Sequence, residues 1–169
     1  MVEWLPLWGH RADSAMISFL GTSTHTLDEK CRLIVPKRFM DEVAPKDAVF
    51  TLTAGLDGCL LLMDRGSWEA TQAQLPMAAT ADSHQRAVRR VLLGHADKVQ
   101  PDRSNRIPIN EALRAYLGVT ANAEVVLAGM GNSIEIWTPQ GWAAALGEAR
   151  KLREFFEKPV ERSAATPAV

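Results

Sequence analysis

Two stretches of this chain carry the same message: Thr26-Leu27-Asp28-Glu29-Lys30-Cys31-Arg32-Leu33-Ile34-Val35-Pro36-Lys37-Arg38-Phe39 and Gln100-Pro101-Asp102-Arg103-Ser104-Asn105-Arg106-Ile107-Pro108-Ile109-Asn110-Glu111-Ala112-Leu113. Each has an aspartate, three residues, an arginine and then an apolar segment. The offset is 102 − 28 = 74 for the aspartates and 106 − 32 = 74 for the arginines. The same offset pairs Gly55 with Gly129, Leu60 and Leu62 with Ile134 and Ile136, and Trp68 with Trp142. A lone Asp-x-x-x-Arg arises by chance. An ungapped likeness that ends each time on tryptophan marks an internal repeat, each copy being one supersecondary unit that needs its neighbour.

Each copy reads as β-β-α-β-β. In the first, Ile17 to Leu27 and residues 32–35 are strand-like, with the polar Asp28-Glu29-Lys30-Cys31 as the turn between them. Pro36 suits the first position of a short helix over Lys37 to Val43, because its missing N–H is not needed there. Ala48–Thr53 and Cys59–Met63 form a second strand pair around Gly55-Leu56-Asp57-Gly58, and Asp64 caps a helix holding Trp68. In the second copy, Lys98–Gln100 and Arg106–Ile109 flank Asp102-Arg103-Ser104-Asn105. Asn110 caps a helix that Gly118 stops, Glu124–Ala128 and Ser133–Trp137 follow, and Thr138-Pro139 opens a helix to about Lys158. Pro108 withholds a ladder donor, which predicts an edge or a bulge for its strand.

One copy is too small for a core of its own. The two are expected to pack face to face about a pseudo-twofold axis as one compact domain over residues 16–158. Repeats 16–78 and 96–158 would be joined by an amphipathic helix, 79–95. Residues 1–15 have no counterpart in the repeat and read as an extension; residues 159–169 read as a flexible tail.

Bulk properties exclude several classes. The chain has 169 residues, 47% hydrophobic and 23% charged, and no apolar run approaches a membrane span. Its start lacks the pattern of a secretory leader, and Cys31 and Cys59 do not make a CxxC, so a cytoplasmic protein with free thiols is expected. His25, His84 and His95 share no metal-ligand spacing. Neither a nucleophile–base pair nor a phosphate-cradling glycine loop is visible, so the expectation is no enzyme, no cofactor, no metal and no small-molecule substrate. The net charge of −1 argues against a chain-wide basic surface, so any nucleic-acid contact must come from particular positions.

The segments FLGTSTHTLDEKCRLIVPKRF, GLDGCLLL with Trp68 behind it, RAVRRVLLGHA, PDRSNRIPI and IEIWTPQGW resemble, in order and spacing, the MraZ family of bacterial transcriptional regulators, relatives of the AbrB-type swapped-hairpin factors. The resemblance covers about residues 16–158. It implies an α+β fold: a pseudo-twofold swapped-hairpin β-barrel with flanking helices. It also implies a nucleoid-associated, ring-shaped homo-oligomer that binds double-stranded promoter DNA at short repeats upstream of the division and cell-wall gene cluster. Where the family usually has glycine before the arginine, this chain has Cys31 and Asn105. If that position needs positive φ, Asn tolerates it and Cys costs on the order of 1 kcal/mol.

The Asp-x-x-x-Arg turns are the candidate site. Asp28 and Asp102 would organise the turns, and Arg32 and Arg106 would meet phosphate or the O6/N7 edge of guanine. Lys30 and Arg103 lie within the turns, and Lys37 and Arg38 would extend the first patch. The competing reading is a structural Asp–Arg pair in each copy, with the lysines and remaining arginines touching DNA, or a partner-binding assembly module with no DNA at all. Between the copies, the first is the better candidate grip and the second serves mainly to complete the barrel. Trp68 and Trp142 are expected in the core or at a subunit contact, Cys31 is a thiol between two cations, and Arg86, Arg89 and Arg90 lie on a solvated helix face.

Overall fold

The structure, a computed structural model, describes residues 17–43, 48–75 and 82–151. The expectations for residues 1–15, 79–81, 152–158 and 159–169 fall outside them. In chain order the elements are β1 (Phe19–Thr26), β2 (Arg32–Ile34), α1 (Lys37–Met40), β3 (Phe50–Ala54), β4 (Leu60–Met63) and α2 (Arg65–Gln74). Then come α3 (Ser83–Gly94), β5 (Asp97–Val99), β6 (Arg106–Pro108), α4 (Glu111–Leu117), β7 (Glu124–Gly131), β8 (Ile134–Trp137) and α5 (Pro139–Lys151). The β-β-α-β-β plan of each copy is therefore present.

The two copies interleave. The large sheet runs β1-β7-β8-β4-β3-β5, an order that reads the same from either end when the repeats are exchanged. Within it only the hairpins β3–β4 and β7–β8 stay inside one copy; β1 pairs with β7, β5 with β3 and β4 with β8, all antiparallel. The remaining strands, β2 and β6, form a separate two-stranded ribbon, one strand from each copy. The α+β class stands, but the expected barrel does not close, because β1 and β5 end the sheet without pairing to each other. One cause is local. Leu27 donates its N–H to the Ala123 carbonyl at 2.9 Å and so extends the run of β1. Its counterpart at the repeat offset is Pro101, which has no N–H to give, and β5 stops at Val99.

The core lies between the copies and draws on equivalent positions of both: Leu33 and Ile107, Val35 and Ile109, Phe39 and Leu113, Leu60 and Ile134, Leu62 and Ile136 are all buried. Each fully buried aliphatic side chain contributes roughly 1.5–3 kcal/mol relative to exposure. Phe19 meets Phe39 edge-on, with ring centres 5.8 Å apart. Trp68 is buried as expected, whereas Trp142 is half-buried against Trp137 at 6.2 Å on the outer side of the sheet.

The equivalence of the copies shifts by one residue in β7. The hairpin registers pair Thr51 with Met63 but Val126, not Val125, with Trp137. Strand β7 is therefore equivalent to β3 at an offset of 126 − 51 = 75, while β8 remains at 137 − 63 = 74. The core agrees at two of these positions: buried Phe50 and Leu52 match buried Val125 and Leu127, while Gly129, in the place of buried Ala54, is half-buried. Gly129 thus stands where copy 1 has Ala54, and its alignment with Gly55 is a coincidence of sequence. The reason for glycine is close packing. A Cβ on Gly129 would lie 2.5 Å from the Phe19 carbonyl carbon and 2.6 Å from the Leu20 nitrogen. Ala54 keeps its Cβ because the short β5 pairs only with Phe50 to Leu52.

The helix ends follow their expected caps. Asp64 accepts from the Gly66 N–H at 2.8 Å and Asn110 from the Leu113 N–H at 2.9 Å. Thr138 accepts from the Gly141 N–H at 3.0 Å; on α3 Asp82 and Gln85 form a capping box that the sequence reading did not name. Gly118 ends α4 in the left-handed conformation at φ 73°. Pro36 differs: it is the N-cap of α1 rather than its first residue, and α1 ends at Met40 rather than Val43.

Gly129→Ala is expected to destabilise the fold by about 3 kcal/mol, the upper end for overpacking, because the clash is with backbone and not with a side chain that can turn away. Urea unfolding measures it; a loss below about 0.5 kcal/mol would mean that β1 does not approach β7 so closely.

Candidate nucleic-acid interface

Both Asp-x-x-x-Arg segments fold into the same turn. The Cys31 N–H reaches the Asp28 carbonyl at 2.8 Å, and the Asp28 N–H reaches the Arg32 carbonyl at 3.0 Å. The second copy repeats this with Asn105 to Asp102 at 2.8 Å and Asp102 to Arg106 at 2.9 Å. The closing residue of each turn is left-handed, Cys31 at φ 56° and Asn105 at φ 57°. This is a tight turn followed by a single αL residue, the place where glycine or asparagine fits most easily. Cysteine holds the conformation despite its Cβ, so the first turn has the same shape as the second.

The carboxylates hold the turns. Asp28 Oδ1 accepts the Lys30 N–H at 2.9 Å and the Arg32 N–H at 2.8 Å, while Oδ2 accepts Arg32 Nε at 2.8 Å. Asp102 Oδ1 accepts the Ser104 N–H at 2.8 Å and the Arg106 N–H at 3.0 Å, while Oδ2 accepts Arg106 Nε at 2.9 Å. The side chains also cross the pseudo-dyad: Arg32 Nη1 lies 3.4 Å from Asp102 Oδ2, and Arg106 Nη1 lies 3.9 Å from Asp28 Oδ2. Two guanidiniums and two carboxylates thus form one quartet of zero net charge joining the two copies. The Arg32 backbone N–H beside Asp28, and the Arg106 backbone N–H beside Asp102, are the main causes that hold both carboxyls below the ordinary value of 3.8. The arginine side chains add to this, and partial burial opposes it.

The ribbon explains how the turns meet. Antiparallel pairing sets Arg32 opposite Pro108, Leu33 opposite Ile107 and Ile34 opposite Arg106. The Val35 N–H to the Asn105 carbonyl at 2.8 Å and the Ile109 N–H to the Cys31 carbonyl at 3.1 Å extend it symmetrically. Strand alternation buries Leu33 and Ile107, so Arg32, Ile34, Arg106 and Pro108 share the outer face. Pro108 occupies an edge strand, as its missing donor requires.

The other expected site residues divide. Lys30 and Arg103 are exposed at the turn tips, and neither side chain has a polar partner among the described residues. Lys37 is paired with Asp41 at 3.1 Å on α1. Arg38 turns to β1, where Nη2 donates to Ser23 Oγ at 2.9 Å and the guanidinium lies 4.5 Å from the Phe39 ring centre. Cys31 is buried, and its sulfur receives Arg114 Nη1 from α4, a partner far along the chain. On α3, Arg86 and Arg90 are exposed and Arg89 is half-buried. Sequence reading missed Ser23, Asp41 and Arg114 as partners and Ile34 and Pro108 as outward residues. The alternation Arg-Leu-Ile and Arg-Ile-Pro was the available signal for the last two.

Comparison with known proteins agrees with the repeat. The family described as "MraZ protein, putative antitoxin-like" matches residues 18–91 and 92–165, whose starts are 92 − 18 = 74 apart. A protein of Thermomicrobium roseum is 36% identical over 126 residues, covering 75% of this chain and 85% of that one. One of Clostridium acetobutylicum is 32% identical over 143 residues, covering 85% and 97%. One of Pediococcus pentosaceus is 33% identical over 133 residues, covering 79% and 90%. All three carry the name "Transcriptional regulator MraZ".

The lowered carboxyls set a pH dependence. A group whose folded value is depressed stabilises the fold above its ordinary value, and that stability is lost as pH falls toward the folded value. For Asp28 and Asp102 the loss begins below about pH 4. The melting temperature of the wild type is expected to fall through that range. Asp28→Asn combined with Asp102→Asn should start lower at neutral pH and show a flatter acid limb. Parallel acid limbs would show that the two carboxyls do not stabilise the turns.

Proposed function

The chain belongs to the MraZ family, and on that premise we propose that it is a DNA-binding transcriptional regulator. It recognises short promoter repeats of the division and cell-wall gene cluster as a ring-shaped homo-oligomer on the nucleoid. The observation that carries the reading is the cross-copy ribbon, which sets two like turns at opposite ends of one short surface, each with an exposed cation at its tip. Cross-copy pairing of β1 with β7 and of β5 with β3 supports the swapped-hairpin plan. One compact domain of two repeats is the matching arrangement, since the buried positions come from both copies.

Arg32 and Arg106 are assigned a double part. Their contacts with Asp28 and Asp102 orient each planar fork in advance, which lowers the ordering cost of meeting a phosphate or guanine edge. Lys30 and Arg103 supply phosphate contacts from either end, and Lys37 and Arg38 stand as flanking cations already engaged with Asp41 and Ser23. Both copies then take part. The second turn's tip has Arg103 and Ser104 where the first has Glu29 and Lys30, so it presents no acid to a phosphate backbone. One subunit would bind weakly, and several on one assembly would bind tandem sites by effective concentration.

A second reading, a partner-binding assembly module without DNA, is favoured by the net charge of −1 and by the self-neutralised quartet. Mobility shift on a duplex from the region upstream of its own gene separates the two. Affinity is expected to fall steeply with salt. Lys30→Ala and Arg103→Ala should each weaken binding and reduce the salt slope by about 1, with melting temperature unchanged. Arg32→Ala is expected to abolish binding while the oligomer mass persists. A salt-independent interaction would remove the phosphate contacts, and unchanged affinity in Arg32→Ala would remove the part assigned to that arginine. Co-purification of a protein with no promoter enrichment would select the second reading.

A further inference from the structure

The outer face of the ribbon carries two half-exposed guanidiniums and, between them, two exposed apolar residues. Ile34 is 47% exposed and lies opposite Arg106; Pro108 lies opposite Arg32. Exposed aliphatics are common when scattered. On this strand pair they alternate with cations, the inner face, Leu33 and Ile107, is completely buried, and Lys30 and Arg103 stand at the two ends. We propose that this face enters the major groove of a DNA duplex and that Ile34 and Pro108 read sequence by apolar contact with thymine methyl groups. The proposal rests on the DNA-binding reading above.

The dimensions and chemistry fit that partner. Two strands roughly 4.8 Å apart, with side chains, match a groove about 12 Å wide that admits a two-stranded ribbon. The major groove also displays both classes of group that this face can address: acceptors on guanine for the arginines, and the thymine methyl for the aliphatics. The minor groove offers no methyl. Arg32 and Arg106 are already neutralised by Asp28 and Asp102, so the charge argument rests on Lys30 and Arg103, exposed at the two ends of the face, and that pair of cations favours the duplex. The pseudo-dyad runs through the ribbon between Leu33 and Ile107, which face each other. Arg32 and Arg106 obey that symmetry. Ile34 and Pro108, at 108 − 34 = 74, do not, so the two halves of the face are chemically different and favour an asymmetric site.

The test uses the full-length protein and a duplex from the region upstream of its own gene, beside a scrambled duplex. Ile34→Ala should weaken binding to the upstream duplex about tenfold and leave the scrambled duplex within about twofold, with melting temperature and salt slope unchanged. Pro108→Ala should act in the same direction. Replacing single thymines by deoxyuridine should weaken the wild type about fourfold at the contacted position, one buried methyl's worth, and have no further effect there in Ile34→Ala. If wild type binds the upstream duplex but Ile34→Ala and the deoxyuridine probes are neutral, this inference is overturned and the DNA reading stands. If wild type binds neither duplex, both fall. If Ile34→Ala changes the oligomer mass while DNA binding holds, the face is a contact between copies and the proposal fails.

Discussion

The antiparallel pairing of Arg32–Ile34 with Arg106–Pro108 is the contact on which the remaining structure depends. It is only three residues long on each side. A ribbon of that length is not stable alone. It persists because its inner residues, Leu33 and Ile107, close the core, and because its ends are clamped by the two turns. One register then settles several things. It joins the copies, sends the apolar residues inward, turns both arginines outward and brings each within reach of the other copy's aspartate. A slip by one residue would turn the side chains of the slipped strand to the other face and put its arginine into the core.

The aspartates make the arrangement rigid rather than merely charged. Ion pairs between partly exposed groups contribute little by themselves. The Asp28 and Asp102 carboxylates do more, because each also accepts two backbone N–H groups that a tight turn would otherwise leave unpaired. The same oxygens then hold the guanidiniums in position. The structural and functional readings of Asp-x-x-x-Arg are therefore not rivals in this fold. A fork whose orientation is fixed by its own turn is also better prepared to meet a fixed pattern of acceptors.

The two turns are alike in backbone and unlike in surface. Cys31 and Asn105 adopt the same left-handed conformation, and both turns close with the same bonds. At the turns and the ribbon the differences are confined to side chains: Glu29 and Lys30 against Arg103 and Ser104, and Ile34 against Pro108. Symmetry serves the shared core, where equivalent positions must fill equivalent space. It is relaxed on the outside, where packing does not constrain the residue.

The repeat, the order of elements, the caps at Asp64, Asn110 and Thr138, and the two turns were all legible in the chain itself. Each rests on local chemistry: strand alternation, a side-chain oxygen three residues ahead of an N–H, a proline where no donor is needed. What the sequence could not decide is what depends on distant neighbours. Gly129 aligned with Gly55 by spacing, yet register assigns it to Ala54, because the approach of the β1 backbone fixes where a Cβ is forbidden. The barrel implied by the family resemblance is an open sheet, because β1 and β5 end it without pairing to each other. Asp28 and Arg106, far apart in the chain, become neighbours only through the ribbon. By itself the sequence determined the turns and their number; tertiary pairing alone decided that both lie on one surface, because hydrogen bonds between strands of different copies leave no trace in local spacing.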